Sequence, residues 1–385
     1  MAGLVFTDAF IFQRGDGFVK GSFSISGNRI RDVVPALRAE SGDNPDLKKI
    51  SLRGRRVLPG LVDIHTHGNS GYDFSDGSPE GLYVMGKYLA AHGITSFAPT
   101  SVTLPYEKLA SAFRTAADYK KNRPAEGARI SGIRMEGPFL SEKRKGAQNA
   151  AFLKLPDAEV FSGFQEECGH IIRIVDVAPE LEGAETFIRR VSADCRVSVA
   201  HTDASYGEAL SAFEAGASHL THLFNAMPPV HHRYPGVIGA ASEKENVTAE
   251  LICDGIHVHP SIIRMAFRLF PGRICLVSDA LRCCGMPEGG YELGGQQVLL
   301  KNGEARLPDG TLAGAASNLF EDMVNAVRFG VREEDAVLAA TLNPAKVLGT
   351  DAETGSIEAG KKADFIICDE KWNPEQVWLD GARIR

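Results

Sequence analysis

From Leu61 onward the chain repeats one alternation: a short apolar run, then a longer stretch whose apolar residues return every three or four positions. The runs LVDIHTHG, ITSFAPTS, SGIRMEGP, IIRIVDVAPE, RVSVAHTD, HLTHLFNA, VTAELICDG and RICLVSDA begin near residues 61, 94, 131, 171, 196, 219, 247 and 273. Between them lie amphipathic stretches such as PEGLYVMGKYLAAHG, YEKLASAFRTAADYKKN and SYGEALSAFEAGA, with Gly or Pro near several ends as stop signals. This is the pattern of successive strand and helix units around a parallel sheet. Eight units predict an α/β chain with a closed (β/α)8 barrel over residues 57–350, a fold whose working side chains gather at the carboxyl ends of the strands.

The ends of the chain have a different texture. Residues 1–56 read as short alternating strands with turn signals at GDG and SGN, and residues 351–385 hold another strand, ADFIICD. Strands this short need partners from elsewhere. Both ends are therefore expected to meet in one small β-sandwich domain beside the barrel. QQVLLKNGEARL, with its KNGE turn, reads as a hairpin inserted after the eighth strand.

Composition narrows the setting. A hydrophobic fraction of 44% and a charged fraction of 24% are those of a globular protein, and no apolar run approaches the roughly 20 residues of a membrane span. A net charge of −7 offers no general attraction for nucleic acid or an anionic membrane, so an anionic substrate must be captured locally. The run SEKRKGA is too short for a polyanion groove. The opening MAGLVFTDAF lacks a basic region and a long apolar core, and seven cysteines without a CxxC pair fit free thiols; together they predict a cytoplasmic protein.

Candidate chemistry falls where the barrel reading puts it. His65 and His67 are two apart on a strand, so they share a face and can converge on one metal ion; the competing reading is a pair of histidines hydrogen-bonded at a strand end. Glu136 ends an apolar strand, where an unpaired carboxylate is costly, and a metal or cationic partner is the natural compensation. His201 and His222 end two further strands and can complete a Glu, His, His set, the three-ligand plan of a catalytic zinc site. Asp279 follows RICLVS, placed to accept a proton from an activated water or, in the competing reading, to cap a helix. His92, His170, His219, His231, His232 and His259 read as structural or solvent-facing.

With these residues assembled, the chain resembles the N-acetylglucosamine-6-phosphate deacetylases of the amidohydrolase superfamily over nearly its whole length. The similar segments are VLPGLVDIHTHG, MEGPFL with KGAQN, VAHTDA, THLFNAMPP, CDGIHV, LVSDA, GTLAG, and TLNPAKVLG with GSIEAGKKADFIICD. HxH and the GKKADF tail belong to the superfamily broadly; EGPF, HLFNAM and the following Arg are much more specific. The resemblance implies a principal divalent metal on Glu136, His201 and His222, zinc first and iron as the alternative, with Asp279 as catalytic acid and base. Family members with one metal lack the HxH pair, so His65 and His67 leave one or two ions open. The resemblance also implies Asn225 and Ala226, Arg233 as a phosphate partner from either subunit of a homodimer, His257, Ala147, and Leu312, Ala313 and Gly314 as substrate-binding residues. Gln148 stands where some members have a substrate-facing His; it can donate a hydrogen bond but cannot shuttle a proton. The implied substrate is N-acetyl-D-glucosamine 6-phosphate. Rivals are the galactosamine epimer, a cyclic amidase or deaminase of the superfamily, and a non-catalytic scaffold. Cyclic amidases commonly carry a metal-bridging Lys on the fourth strand, which IIRIVDVAPE lacks, and a scaffold is expected to have lost ligands.

Overall fold

Short parallel strands follow one another from Leu61 to Leu276 in the computed structural model, which describes residues 3–35 and 48–385. Residues 1, 2 and 36–47, part of the expected amino-terminal β segment, lie outside the described residues. Leu61–Thr66 pairs with Ile94–Pro99, which pairs with Arg129–Ile130. Ile133–Met135, Ile172–Val177, Arg196–Val199, His219–Leu220, Thr248–Leu251 and Ile274–Leu276 form a second parallel sheet in chain order. The two sheets meet at both edges, with parallel bridges from Thr66 to Ala280 and from Thr100 to Arg134. At the first junction the Asp279 N–H donates to the His65 carbonyl at 2.9 Å; at the second the Ser101 N–H donates to the Arg134 carbonyl at 3.1 Å. The result is a curled parallel sheet in an α/β fold.

The expected helices form for the reasons visible in their sequences. Pro79–Ala91 starts on Ser78, whose hydroxyl accepts from the Gly81 N–H, with Pro in the first turn where no N–H is needed. Tyr206–Ala215 opens with a reciprocal capping box between Ser205 and Glu208. Their apolar faces join one large core that includes Leu82, Met85, Phe97, Phe113 and Phe213.

Both chain ends enter a single seven-stranded sheet. Its order is Ala382–Arg383, Pro374–Leu379, Phe365–Cys368, Lys48–Pro59, Leu4–Gln13, Gly17–Ser26 and Arg29–Pro35. Phe6 and Trp378 sit three strands apart, a separation of about 14 Å in a flat sheet. Their ring centroids are nonetheless 5.1 Å apart, so the sheet folds over on itself around Phe6, Phe23, Phe365 and Trp378. Truncating a fully buried ring such as Phe6 to Ala costs about 3–5 kcal/mol. Arg129 ties this sheet to the parallel strands through Asp364 at 3.0 Å and Asp380 at 2.7 Å, and Arg123 also pairs with Asp380.

The insertion after Ile274–Leu276 is a four-stranded antiparallel sheet containing the expected hairpin, Gln296–Lys301 with Glu304–Arg306. Its turn residues Asn302 and Gly303 both have positive φ, as a tight hairpin requires. The last strand of the insertion, Leu312–Gly314, returns to the curled sheet, where Ala315 bridges to Ala280.

Candidate active site

His65 and His67 lie at the end of Leu61–Thr66, Glu136 just after Ile133–Met135, His201 after Arg196–Val199, His222 after His219–Leu220 and Asp279 after Ile274–Leu276. All six are buried. His201, His222 and Asp279 have φ of 42°, 24° and 49°, the left-handed region that costs a non-glycine residue about 1–3 kcal/mol. At these positions the chain breaks sharply from extended geometry as it leaves the sheet. Gly314 presses against one of these bends: a Cβ there would lie 2.8 Å from the Asp279 carbonyl oxygen, so only glycine fits.

Two triads result, each with ligand atoms within 4.8 Å of one another: His65, His67 and Asp279, and Glu136, His201 and His222. Glu136 joins them. Its Oε2 lies 3.3 Å from His67 Nε2, and its Oε1 lies 3.2 Å from His201 Nε2 and 3.4 Å from His222 Nε2. Asp279 Oδ1 is 3.2 Å from His67 Nε2 and 3.4 Å from His65 Nε2.

The outer nitrogens decide what this arrangement can hold. His65 Nδ1 donates to Glu250 Oε2 at 3.0 Å, His67 Nδ1 to the Thr100 carbonyl at 3.1 Å and His201 Nδ1 to the Arg144 carbonyl at 2.9 Å. A neutral imidazole that donates from one nitrogen has a bare lone pair on the other. The Nε2 atoms of His65, His67 and His201 therefore turn lone pairs toward the centre, with His65 and His67 Nε2 3.3 Å apart, His222 Nε2 3.1 Å from His201 Nε2, and two carboxylates beside them. Such a convergence is repulsive without a cation at its centre, and nitrogen with carboxylate oxygen is a donor set that suits zinc or iron. Titration shows the same demand for positive charge, which a proton can meet where a metal does not. Burial opposes charge on Glu136, yet the facing imidazoles of His65, His201, His222 and His67 hold its carboxyl well below the usual range. Burial likewise opposes the proton on His67, but Asp279 and Glu136 raise its pKa well above that of a free imidazole.

Of the other expected site residues, Gln148 touches this centre directly and Asn225 adjoins it in sequence and by hydrogen bond. Gln148 is buried and donates its amide to Glu136 Oε2 at 2.7 Å; Ala147 beside it is buried and its carbonyl accepts from Gln296 of the insertion. Asn225 follows the His222 bend and donates to the His222 and Leu223 carbonyls, and Ala226 has a φ of 52°. His257 Nδ1 pairs with Asp254 Oδ2 at 2.6 Å. Leu312 and Ala313 are half-buried. Arg233 is not brought in: it is exposed, and its guanidinium makes no hydrogen bond or ion pair among the described residues.

Sequence reasoning missed the layer beneath. Glu250, Arg134, Asp176 and Asp63 are wholly buried. Arg134 pairs with Asp176 at 2.9 Å and with Glu250, while Asp63 accepts from the Ser278 hydroxyl at 2.6 Å. The available signal was a charge flanked by apolar residues within a strand: Asp63 in LVDIHTHG, Arg134 in SGIRMEGP, Asp176 in IIRIVDVAPE and Glu250 in VTAELICDG. His219, read as structural, belongs to this layer, with Nε2 2.9 Å from Glu250 Oε1. His259 caps Pro260–Leu269.

What the geometry asks for is a divalent cation at the carboxyl edge of a parallel sheet, and proteins that use such a cation to activate water are the metal-dependent hydrolases. The Amidohydrolase family model matches residues 56–384, and the chain belongs to that family. It is 37% identical over 371 residues to the N-acetylglucosamine-6-phosphate deacetylase of Bacillus subtilis (strain 168), covering 94% of this chain and 92% of that one. To the N-acetylgalactosamine-6-phosphate deacetylase of Escherichia coli O157:H7 it is 34% identical over 327 residues, 84% of this chain and 86% of the relative. A solved mutant of the Mycobacterium smegmatis N-acetyl-D-glucosamine-6-phosphate deacetylase, in complex with N-acetyl-D-glucosamine-6-phosphate, superposes with a TM-score of 0.91 at 30% identity, covering 100% of both chains.

Proposed function

We propose that this chain hydrolyses N-acetyl-D-glucosamine 6-phosphate to D-glucosamine 6-phosphate and acetate. The observation that carries the reading is the joining of both triads by Glu136 with Asp279 at their edge, in a chain 37% identical to a deacetylase of that substrate. Glu136, His201 and His222 would hold the principal divalent metal, zinc first and iron as the alternative, and His65, His67 and Asp279 a second. When bound, such a metal supplies Lewis acidity, polarising the acetyl carbonyl and making water a stronger acid.

The chain's own groups do the rest. The Asp279 carboxylate accepts a proton from water as its oxygen attacks the acetyl carbon, then returns the proton to the sugar nitrogen as the C–N bond breaks. The same carboxylate serves both steps because an unprotonated amide nitrogen is a very poor leaving group. Burial opposes the ionised form, but His65, His67 and His222 keep Asp279 below the usual carboxyl range, ready to receive a proton at neutral pH. Gln148 holds Glu136; Asn225, Ala226, His257, Ala147 and Leu312–Gly314 line the substrate, and Arg233 meets the phosphate.

The curled sheet reads as a (β/α)8 barrel over residues 57–350, flanked by a β-sandwich domain built from residues 1–56 and 351–385. Arg233 reaches the phosphate of a partner subunit in a homodimer. That reading is supported by the exposure of Arg233, whose guanidinium makes no hydrogen bond or ion pair among the described residues. No helix among the described residues is long and apolar enough to cross a membrane, and the seven cysteines are free, which supports a cytoplasmic setting.

The galactosamine epimer is the second reading, favoured by the 34% identity to its deacetylase. Acetate release should be measured on both epimers, with and without the phosphate, before and after exhaustive chelation. Fastest turnover on the phosphorylated gluco substrate, lost on chelation and restored by zinc or iron, is expected. Fastest turnover on the galacto epimer would select the second reading, and full activity of metal-free protein would remove the mechanism.

A further inference from the structure

Of the four imidazoles in the two triads, only His65 has its outer nitrogen on a carboxylate. His67 and His201 rest on backbone carbonyls, and His222 Nδ1 is buried without a partner among the described residues. The carboxylate is Glu250, on the strand Thr248–Leu251 and wholly buried. Its Oε2 accepts from His65 Nδ1 at 3.0 Å and from the His222 backbone N–H at 3.2 Å. Its Oε1 accepts from His219 Nε2 at 2.9 Å and from Arg134, which is itself held in a fork by Asp176. One side chain thus links three strands beneath the site, with its orientation set from below by two donors.

We infer that Glu250 is a positioning residue that gives the His65, His67 and Asp279 triad its hold on a metal ion, through the His65 imidazole. The inference rests on the two-ion reading of the site. An imidazole that donates to a carboxylate is locked in the tautomer with a bare Nε2 and is a more basic ligand than one donating to a carbonyl. The His65 arm therefore depends on Glu250, whereas the Glu136, His201 and His222 triad touches Glu250 only through the His222 backbone. In Glu250→Gln the amide oxygen turns to Arg134, the stronger donor. The amide NH2 then faces His65 Nδ1, which must accept a hydrogen bond and leave its proton on Nε2. The His222 backbone N–H loses its acceptor, but no metal-facing nitrogen of that ring changes its proton.

The test is titration of metal-depleted full-length protein with Co²⁺, reading stoichiometry and the visible absorption of the bound ion, alongside thermal unfolding. Wild type is expected to bind two equivalents. Glu250→Gln is expected to keep the first equivalent at wild-type affinity and bind the second about 10- to 100-fold more weakly. Glu250→Asp retains the charge opposite Arg134 but shortens the reach to His65; it should show the same selective loss and serves if the amide variant does not fold. Two equivalents with unchanged affinities in the variants would overturn the inference alone. Equal weakening of both, together with a lowered melting temperature, would also overturn it by making Glu250 a structural residue. A single equivalent in wild type would overturn the two-ion reading and the inference with it.

Discussion

Gln148 reaches Glu136 with a fixed hand: its Oε1 accepts the Thr103 backbone N–H at 2.7 Å, which leaves only its Nε2 to meet Glu136 Oε2, also at 2.7 Å. The amide cannot flip without opposing two N–H groups. Gln148→Ala removes a hydrogen bond to a charged group, a loss of about 1.5–3 kcal/mol. The expected outcome is a 10- to 100-fold lower kcat/KM with the fold retained by circular dichroism, because Glu136 loses the contact that holds the oxygen facing His67. Unchanged kinetics would show that the imidazoles alone orient Glu136.

Asp279→Asn is expected to bind substrate and lose most of kcat. Asn tolerates the positive φ of this position about as well as Asp, so the backbone bend survives while the proton acceptor is removed. Metal content of the variant is measured alongside, because Asp279 also belongs to the triad with His65 and His67. General acid or base removal costs about 10²- to 10⁴-fold, and a group acting in both steps belongs at the upper end. Steady-state kinetics on the variant check this; a near-normal kcat would move the proton acceptor elsewhere.

Arg233→Ala separates phosphate recognition from chemistry. An exposed guanidinium without a partner among the described residues can bind two phosphate oxygens at once. KM for the phosphorylated substrate is expected to rise, with about 2–5 kcal/mol lost from kcat/KM, and turnover of the unphosphorylated sugar to change little. Equal losses on both substrates, with a change in sedimentation, would make Arg233 an assembly residue.

Asp380 makes acid stability a readout of how the terminal sheet is held. Burial opposes its charge, but Arg129, Arg123 and Lys362 keep its carboxyl below the ordinary range. A depressed folded pKa contributes stability that is present above the unfolded value near 3.9 and is lost as pH falls through the folded value. Asp380→Asn should therefore be less stable than wild type by about 1–3 kcal/mol at pH 7, and the gap should begin to narrow as pH falls through about 4 and close only below the depressed folded value. Denaturant melts in steps from pH 7 downward measure the difference; a gap that does not narrow at all as pH falls below about 4 would assign the loss to packing.

These contacts also show how far the sequence could be read. Each parallel strand begins within two residues of an apolar run, because burial on both faces leaves a continuous signature that neighbouring helices do not share. His65, Glu136, His201, His222 and Asp279 could be proposed as one group since each follows such a run. The polar layer under them resists that logic. Arg134 and Glu250 are 116 positions apart, and no local pattern marks them as partners; only the curling of the sheet brings the fourth-strand Asp176 and the seventh-strand Glu250 to the same guanidinium. Gln148 is similar: its residue type suggested a donor, but the Thr103 N–H that aims it comes from a different loop.

The seven-stranded sheet also sets a timetable for synthesis. Lys48–Pro59 pairs with Leu4–Gln13 on one side and with Phe365–Cys368 on the other, so one edge of it waits while roughly 300 further residues are made. At about 5–20 residues per second that is roughly 15–60 s on the ribosome. Over that interval Val57 and the rings of Phe6 and Phe23 lack the cover of Phe365 and Trp378, leaving an apolar, half-paired strand that invites β-addition by other nascent chains. Chaperone engagement should therefore be strongest during elongation and fall once residue 379 has cleared the exit tunnel.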